Sequence, residues 1–471
     1  MTGSIATGGT ISAEFARYAF GLSYDALPAD VKRLAKLVLL DTLGCALAGA
    51  STDEVTRIGK AMRAAFGEGG SLLWGTSAAL PRPAAALVNG AACHAREMDD
   101  FGGCAHSGSV VVPAALGMAT SRRSSGRELL TAIVIGYDVA RRAMDGGGGY
   151  NAFKKKGWHS TSTCGGFGAA AAAGRLLGLD ERGLQWALGY AGSNAGGTWA
   201  FIPDGAMNKR VHPGFAAQTG IMAAHLASEG VTAPTGIFET EWGGFFSTYV
   251  PGVAKPDDAV AGLGSDFRIR LVGIKPYAAC RGIHSALDVV LDLRSERGIT
   301  HADVARVVIR GSSVHQKQLG KQVVRTTLDA QMSLPYSVAV ALVSGSAGLD
   351  QFDPTAIHRP EITHFAKMVE VVRDGEVADG EEPFVDVHMH SGEVVTRRVL
   401  VARGDAANPL SDAEVRAKFR TTAGTLLALD AVAALERAVD GIDGCDDVTA
   451  LTDLLRTAEP TSSSQNRRNV A

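Results

Sequence analysis

The sequence predicts a mainly α-helical protein in which a large all-helical domain carries an inserted, smaller α+β lid domain. Apolar residues recur at helical spacing through the first half of the 471-residue chain and again near its end, whereas alternation with period two is confined to the stretch between. Aromatic residues make up only 6% of the chain and there are 57 glycines, so the core must consist largely of Ala, Leu and Val, which favours closely packed helices. The predicted division is a helical part over residues 1–264, a lid over 265–403, returning helices over 404–460 and a disordered tail over 461–471.

The helices of the first half are predicted from apolar spacing and from residues that begin or end helices. The first begins just after Pro28, has Asp30 as its predicted cap and runs to Ala50. Four consecutive glycines at 146–149 predict a loop, because ordering them in a helix costs too much entropy, and the lysines at 154–156 are interpreted as a solvated loop. Further helices are predicted over 110–121, 128–143, 166–177, 180–190 and 214–228.

The pattern changes near residue 265. Phe267, Ile269 and Leu271 alternate with arginines, which predicts a strand. In the same stretch, strands are also predicted over 304–309, 384–390 and 394–401, and helices over 281–293 and 330–343. From residue 412 the apolar spacing is helical again, with helices predicted over 413–422 and 430–439. Strands and helices mixed in this way indicate a separate α+β unit between two helical parts.

Composition argues against several classes of protein. The 46 Lys and Arg against 49 Asp and Glu give a net charge of −3, and no basic stretch suggests nucleic-acid binding. The longest nearly uncharged stretch, 102–121, contains His106, Pro113 and many Gly and Ser residues, so it would make a poor membrane span. The six cysteines are scattered without a C-x-x-C pair, and residues 1–10 lack the pattern of a secretory signal. We therefore expect a cytoplasmic protein.

Motifs for cofactors and metals are incomplete. Residues 166–171 fit G-x-G-x-x-A, but the polar residues 159–163 precede them instead of a buried strand, so a nicotinamide or flavin site is rejected. His388 and His390 lie on one face of a predicted strand, but two ligands do not complete a metal site. The cysteines are not grouped as an iron–sulfur cluster requires. The sequence therefore predicts no metal and no cofactor.

Charged side chains in small, apolar surroundings form the candidate site. They occur in three clusters, each close to the predicted start of a helix, where backbone N–H groups and the helix dipole favour a negative charge. Taken singly, each residue more often caps a helix or makes a structural hydrogen bond, but three matching clusters together favour a site for an anionic ligand. The residues are Glu97, Asp99, Asp100, His106, His159, Lys209, Arg210 and His212.

Five segments, 94–109, 157–174, 204–220, 275–284 and 330–353, are similar, in the same order, to segments of one enzyme family. Residues 94–101 and 106–108 resemble its His-x-x-Asp-Phe-Asp-Asp-Thr and His-Pro-Ser motifs. Residues 158–163 resemble its Phe-His-Pro-Thr segment, 208–212 its Thr-Lys-Arg-Leu-His segment, and 275–281 its Lys-Pro-Tyr-Pro-x-Cys motif. The chain thus resembles the MmgE/PrpD family, which includes 2-methylcitrate dehydratases, cis-aconitate decarboxylases and iminodisuccinate epimerases.

The resemblance implies a helical domain with an α+β lid, assembled as homodimers, and it adds a lid residue to the candidate site. His106, His159, Lys209 and Tyr336 match the family's active-site positions. Three positions depart from the pattern of cis-aconitate decarboxylases, which have aspartate at Glu97, threonine at Phe101 and histidine at Cys280.

These residues suit proton abstraction next to a carboxylate. Lys209 would stabilise the negative charge that develops, and His106 and His159 would act as general acid and base in an order left open. Asp99 or Asp100 would orient an imidazole or bind a substrate hydroxyl group. Tyr336 would donate a hydrogen bond from the lid. Substrate-binding roles are predicted for Glu97, Asp100, Arg210, His212, Lys275, Cys280 and Arg281.

The leading hypothesis is a cofactor-independent hydro-lyase acting on a small di- or tricarboxylate, such as a 2-methylcitrate-like acid. A cis-aconitate-type decarboxylase and an iminodisuccinate-type epimerase remain alternatives within the resemblance. The alternative from another class is an inert binding homologue, which the loss of threonine at Phe101 favours and the presence of His106, His159 and Lys209 opposes.

Overall fold

The computed structural model describes residues 9–457, and the tail predicted at 461–471 lies outside them. The described part contains twenty α-helices and six short strands, which confirms the predicted mainly α fold with a smaller α+β lid. The helices before the lid are α1 (Ile11–Gly21), α2 (Ala29–Ala50), α3 (Asp53–Phe66), α4 (Arg82–His94), α5 (Gly108–Arg122), α6 (Gly126–Gly146), α7 (Tyr150–Lys155), α8 (Ser160–Thr163), α9 (Gly165–Leu177), α10 (Glu181–Ser193), α11 (Asn208–Ser228), α12 (Phe245–Tyr249) and α13 (Pro256–Val260). A two-stranded hairpin, β1 (Ser71–Leu72) and β2 (Ala79–Leu80), lies between α3 and α4.

The lid is built on a four-stranded sheet. Its helices are α14 (His284–Arg297), α15 (Thr327–Gln331), α16 (Leu334–Ser344) and α17 (Pro360–Ala366), and its strands are β3 (Val304–Gly311), β4 (Val369–Arg373), β5 (Phe384–Met389) and β6 (Val394–Arg397). The strand order is β4-β3-β5-β6, with β3 parallel to β4 and antiparallel to β5. Val307, Ile309, Val385 and Val387 are fully buried. The chain then returns to helix in α18 (Asp412–Ala423), α19 (Leu429–Asp440) and α20 (Thr449–Asp453).

Small residues let the central helices pack closely, as the composition predicts. A Cβ on Gly168 of α9 would lie only 2.2 Å from the carbonyl oxygen of Gly136 on α6. On α11, a Cβ on Gly220 would lie 2.4 Å from the Cβ of Ala169. A larger residue at either position would therefore force these helices apart.

Two apolar cores correspond to the two parts of the chain. The larger core runs from Ile11 to Val272 and takes up the returning helices between Phe419 and Leu455. The smaller core contains the buried face of the lid sheet and most of its residues follow Tyr277, but Cys45, Ala48, Met98 and Phe201 of the helical part belong to it as well. The lid therefore packs directly on the helical part, and Ile274, between the two, packs with Leu37 and Val415.

The two connections between the cores lie side by side. Phe101 and Gly273 exchange backbone hydrogen bonds of 2.9 Å in an antiparallel bridge. The next N–H, that of Ile274, donates to the carbonyl oxygen of Gly404 at 2.9 Å. The chain thus enters and leaves the lid at one point, next to the segment that carries Glu97 to Phe101.

Several predicted elements are corrected. The period-two stretch at 267–271 is a 3₁₀ turn, Arg268–Leu271, because Phe267 and Ile269 are buried in the helical core and the backbone N–H of Arg268 donates to Asp138. The strand predicted over 394–401 ends at Arg397. The helix predicted over 330–343 is two helices, α15 and α16, separated at residues 332–333.

Two predicted helix starts are also corrected. The helix predicted from 214 begins at Asn208, because Pro213 is accommodated inside it. Lys209, Arg210 and His212 therefore lie within its first turns and not before it. Asp30 is not the cap of α2, since Pro28 occupies the N-cap position and Asp30 lies in the first turn.

Within residues 9–457, no single helix combines the length and the apolar character needed to cross a membrane. One pair, α2 and α3, meets the length and composition criteria together but is bent by 87°.

Candidate active site

Three imidazoles meet in the helical domain, and we call His94, His106 and His159 the imidazole trio. His94 is the last residue of α4, His106 lies two residues before α5, and His159 is the N-cap of the short α8. The ring centroids of His94 and His106 are 4.6 Å apart, and that of His159 lies 6.3 Å and 6.2 Å from them. The side chain of His94 is fully buried, whereas that of His106 is 12% exposed. The trio therefore reaches solvent through His106.

Hydrogen bonds fix the orientation of the trio. Nδ1 of His94 donates to Asp99 at 2.8 Å, and Nδ1 of His106 donates to the carbonyl oxygen of Asp100 at 2.8 Å. These bonds place the ring proton on Nδ1 and leave a lone pair on Nε2 of both rings. Nδ1 of His159 lies 2.9 Å from Nδ1 of His212, so the predicted residue His212 contacts the trio as a partner of His159.

Burial keeps the imidazoles neutral. It lowers the pKa of His94 to about 3 and that of His106 to about 4, against the attraction of Asp99. Burial and the nearby His212 and Lys209 hold the pKa of His159 well below its ordinary value. Near pH 7 these rings are therefore neutral, and each keeps a nitrogen lone pair.

A cation cluster, defined as Lys209, Arg210 and Lys275, converges on one carboxylate. Lys209 donates to Oε2 of Glu97, and Nη1 of Arg210 lies 2.6 Å from the same oxygen. Lys275 donates to the carbonyl oxygen of Glu97 at 2.9 Å, and its ammonium lies 3.8 Å from Oδ1 of Asp99. The three cations thus face two carboxylates, which leaves an excess of positive charge in a buried place.

The pKa values reflect this arrangement. Burial raises the pKa of Glu97, but the cation cluster outweighs it and holds the pKa well below the ordinary value. The pKa of Lys209 is lowered to about 8. Burial is the main cause, Glu97 opposes it, and Arg210 and Lys275 add to it. A second anion placed here would relieve the excess positive charge.

The lid contributes one polar side chain to this cluster. The amide oxygen of Gln331, the last residue of α15, accepts a hydrogen bond from Arg210, and its amide nitrogen donates to the carbonyl oxygen of Arg96 at 3.1 Å. Gln331 is buried and was not among the predicted site residues. It joins the lid directly to the segment that carries Glu97.

Asp100 is tied to the start of α5. Its carboxyl oxygens accept from the N–H of Gly108 at 3.0 and 3.1 Å and from the hydroxyl of Tyr137 at 2.9 Å. Burial, reinforced by Asp99, raises the pKa of Asp100 to about 8. The helix start that the sequence assigns to an anionic ligand is thus filled by the protein's own carboxyl group. Since the Asp100 carbonyl also binds His106, Asp100 positions that ring.

The backbone is strained on both sides of this segment. Glu97 has φ 55° and Ala105, which directly precedes His106, has φ 105°. Residues with a side chain seldom adopt such angles, and strain of this kind concentrates at functional sites. The surrounding contacts hold Glu97 and His106 in place against it.

Two predicted residues have their contacts elsewhere. The hydroxyl of Tyr336 donates to the carbonyl oxygen of Gln351 at 2.6 Å, and its ring packs edge-on against Phe352 in the lid core. Arg281 pairs with Glu382 and Asp405.

Cys280 is half-buried, and its backbone N–H donates to Gln331 at 2.8 Å. Phe101 lies beneath the guanidinium of Arg281, 5.1 Å from it, and next to His284. The departures at positions 101 and 280 therefore fall where the lid joins the helical domain.

Lys154 does not lie in a solvated loop, contrary to the sequence interpretation. It belongs to α7, is half-buried, and its ammonium lies 5.6 Å from the ring centroid of Tyr150 and 5.9 Å from that of Trp199. Trp199 in turn meets His159 edge-on at 4.9 Å. Lys154 is thus connected to the trio through one aromatic ring, whereas the neighbouring Lys155 is exposed.

The trio and the cation cluster together offer proton acceptors next to fixed positive charge in a place that excludes most water. Such a site stabilises negative charge that develops during a reaction. The arrangement is that of an enzyme active site, placed between a helical domain and its lid.

The chain belongs to the MmgE/PrpD family. Residues 13–256 match the MmgE/PrpD N-terminal domain and residues 277–443 match the MmgE/PrpD C-terminal domain. It is similar to a cis-aconitate decarboxylase of Aspergillus terreus, with 28% identity over 94% of this chain and 96% of the relative. It is also similar to the human cis-aconitate decarboxylase, with 28% identity over 97% of both chains. A cis-aconitate decarboxylase-like protein of Aspergillus oryzae is 29% identical over 95% of this chain and 97% of its own length.

Proposed function

We propose that the protein is a cofactor-independent lyase that acts on a small di- or tricarboxylate by moving a proton at the carbon next to a carboxylate. The observation that carries the proposal is the buried cation cluster at Glu97, placed beside three neutral imidazoles. The excess positive charge supports binding of a substrate carboxylate. The neutral rings support proton removal.

The proposed reaction begins when an imidazole of the trio removes a proton from the carbon next to a substrate carboxylate. His106 and His159 are the residues proposed for proton transfer, and Asp99 positions the trio through Nδ1 of His94. Lys209 is proposed to hold the carboxylate on which negative charge accumulates. The resulting carbanion then forms the double bond while the β-hydroxyl group takes a proton from the imidazolium formed in the first step and leaves as water, which is the hydro-lyase form of the reaction.

A second candidate is loss of carbon dioxide. It is favoured by the similarity of the chain to cis-aconitate decarboxylases. In this form the C–C bond to a carboxylate breaks, the electron pair remains on carbon, and an imidazole delivers to that carbon a proton taken from solvent. The same cations would stabilise the carbanion.

A third candidate is an epimerase, which would need two acid–base groups on opposite faces of one carbon. His106 and His159, whose ring centroids are 6.2 Å apart, are candidates for that pair.

The test is incubation of the purified protein with citrate, 2-methylcitrate and cis-aconitate in deuterium oxide, followed by proton NMR. An alkene product from a hydroxy acid supports the hydro-lyase, a product one carboxylate shorter supports the decarboxylase, and exchange without net conversion supports the epimerase. Absence of any conversion or exchange with every acid would leave the inert binding homologue. Because the proposed reaction needs no cofactor, treatment with a chelator followed by dialysis is expected not to decrease turnover.

We also propose an oligomeric state and a cellular compartment for the protein. The family resemblance supports a homodimer, which sedimentation would test. Scattered thiols support a reducing cytoplasm, and the six cysteines are unpaired in the described structure.

A further inference from the structure

We infer that the imidazole trio is an inhibitory binding site for a zinc ion. Each ring offers one nitrogen, and these three nitrogens lie within 4.8 Å of one another. Tetrahedral zinc with bonds of 2.0–2.1 Å holds its nitrogen ligands about 3.3 Å apart, so inward shifts of about 1 Å would close the site. The sequence predicts no metal site because the three histidines come from separate segments.

Two of the three rings have the hydrogen bonds of a zinc-binding shell, whereas His159 would exchange its contact with His212 or with Thr161 for the metal. Nδ1 of His94 donates to the carboxylate of Asp99, and Nδ1 of His106 donates to a backbone carbonyl. Metal-bound histidines nearly always donate their other N–H to such acceptors, which fixes the ring and its tautomer. Both rings therefore keep a lone pair on Nε2 that is free to bind a metal.

One of these nitrogens is unsatisfied. Nε2 of His94 is buried and has no hydrogen-bond partner among the described residues. A buried polar atom left without a partner costs free energy, which a bound ion would recover. The side chain of His106 is 12% exposed, so an ion can reach the trio from solvent.

The neighbouring charges oppose each other. Lys209 and Lys275 disfavour a further cation, whereas Glu97 and Asp99 attract it. The position of the trio makes zinc an inhibitor, because it would occupy the nitrogens that are proposed to accept the substrate proton. The inhibitory effect rests on the proposed function, whereas zinc binding does not.

Binding is tested without substrate by titrating the purified protein with Co²⁺ and then with Zn²⁺. We expect the intense visible absorption of tetrahedral Co²⁺, lost when Zn²⁺ replaces it. His94→Ala is expected to weaken Zn²⁺ binding at least tenfold. The double variant His388→Ala/His390→Ala, which removes the sequence-adjacent histidines of the lid, is expected to bind as tightly as the parent protein. Absence of the spectrum in the parent protein, or an unchanged affinity in His94→Ala, would overturn the inference.

Inhibition is tested separately on the substrate that the NMR panel identifies. Zn²⁺ is expected to abolish turnover and a chelator to restore it, with the midpoint at the dissociation constant measured by titration. Full turnover at saturating Zn²⁺ would overturn the inhibitory role. If the panel yields no substrate, the proposed function fails while the Co²⁺ titration still decides whether the metal binds.

Discussion

Two buried lysines of the helical domain show opposite behaviour. Lys418 lies 2.6 Å from Asp41 and donates to the carbonyl oxygen of Met98 at 2.5 Å. Burial lowers its pKa, but Asp41 outweighs burial, so the pKa of Lys418 lies above its ordinary value. Lys209 also faces a carboxylate, that of Glu97, but shares it with two further cations, and its pKa falls to about 8.

The difference separates a structural ion pair from a poised one. In the buried pair one cation faces one carboxylate, and burial still raises the pKa of Asp41, whereas a carboxylate surrounded by surplus cations leaves an ammonium ready to bind another anion. Burial and lysine chemistry are the same in both places. The number of positive charges per carboxylate distinguishes them.

The largest expected effect is on stability, at the matched pair. Lys418→Ala leaves Asp41 buried without its cation, so we expect the free energy of unfolding to fall by about 3–5 kcal/mol. Denaturant unfolding measures it. As a control, Asp41→Leu combined with Lys418→Met removes both charges and should recover most of the loss. A fall below about 1 kcal/mol in Lys418→Ala would remove the structural half of the comparison.

The next largest effect is on turnover, at the poised lysine. Lys209→Ala should fold normally, because Glu97 keeps Arg210 and Lys275 as partners. Turnover should fall by about 10²–10³-fold, as expected for removal of a fixed electrostatic group. Lys155→Ala, an exposed lysine, is the matched control and should leave turnover unchanged. If Lys209→Ala instead loses melting temperature and keeps its turnover, Lys209 is structural like Lys418.

The pH dependence sharpens the comparison further. If the Lys209 ammonium binds substrate, kcat/KM should fall about tenfold per pH unit above pH 8, where Lys209 loses its proton. Lys209→Arg keeps its charge and should not show this fall, whatever its maximal rate. A parent profile that stays flat to pH 10 would contradict the role of the ammonium.

The stability contributions of the two lysines have opposite signs. The folded-state pKa of Lys209 lies below the ordinary 10.5, so the unfolded chain binds more protons between about pH 8 and 10.5 and the contribution of Lys209 to stability rises there. The folded-state pKa of Lys418 lies above 10.5, so its contribution is complete below that pH and is lost as pH rises through the folded-state pKa. Unfolding of Lys209→Ala and Lys418→Ala against pH measures both.

The smallest effect is expected at Lys154. Its ammonium holds Trp199 against His159, and removal of a cation–π contact of about 1 kcal/mol should change kcat/KM about fivefold. Lys155→Ala again serves as the control on the same helix. Equal kinetics of the two variants would show that Trp199 is held in place without Lys154.

Local patterns predicted much of the fold and part of the site. Apolar spacing located α5, α6 and α9, because helix formation there agrees with the packing of the core. It failed at 267–271, where burial of Phe267 and Ile269 in the helical core decides the conformation and the alternation does not. The start of α11 was missed because Pro213 is normally a boundary.

The site was only partly predictable because its contacts are long-range. Lys209 and His159 stood out as charged residues in small, apolar surroundings, and the structure brings both to the centre. Gln331 lies 121 positions from Arg210, and no local pattern links them. His94 was not predicted as a site residue, although its hydrogen-bond partner Asp99 lies only five residues further along the chain.

The neighbouring attachment points of the lid have a consequence for how such proteins diversify. Because the lid leaves and rejoins the helical domain where Ile274 meets Gly404, exchange of the intervening stretch between related genes would replace the whole lid as one piece. The imidazole trio would be inherited intact from the recipient. One round of recombination could thus alter what is admitted to the site while the acid–base groups remain those of the parent.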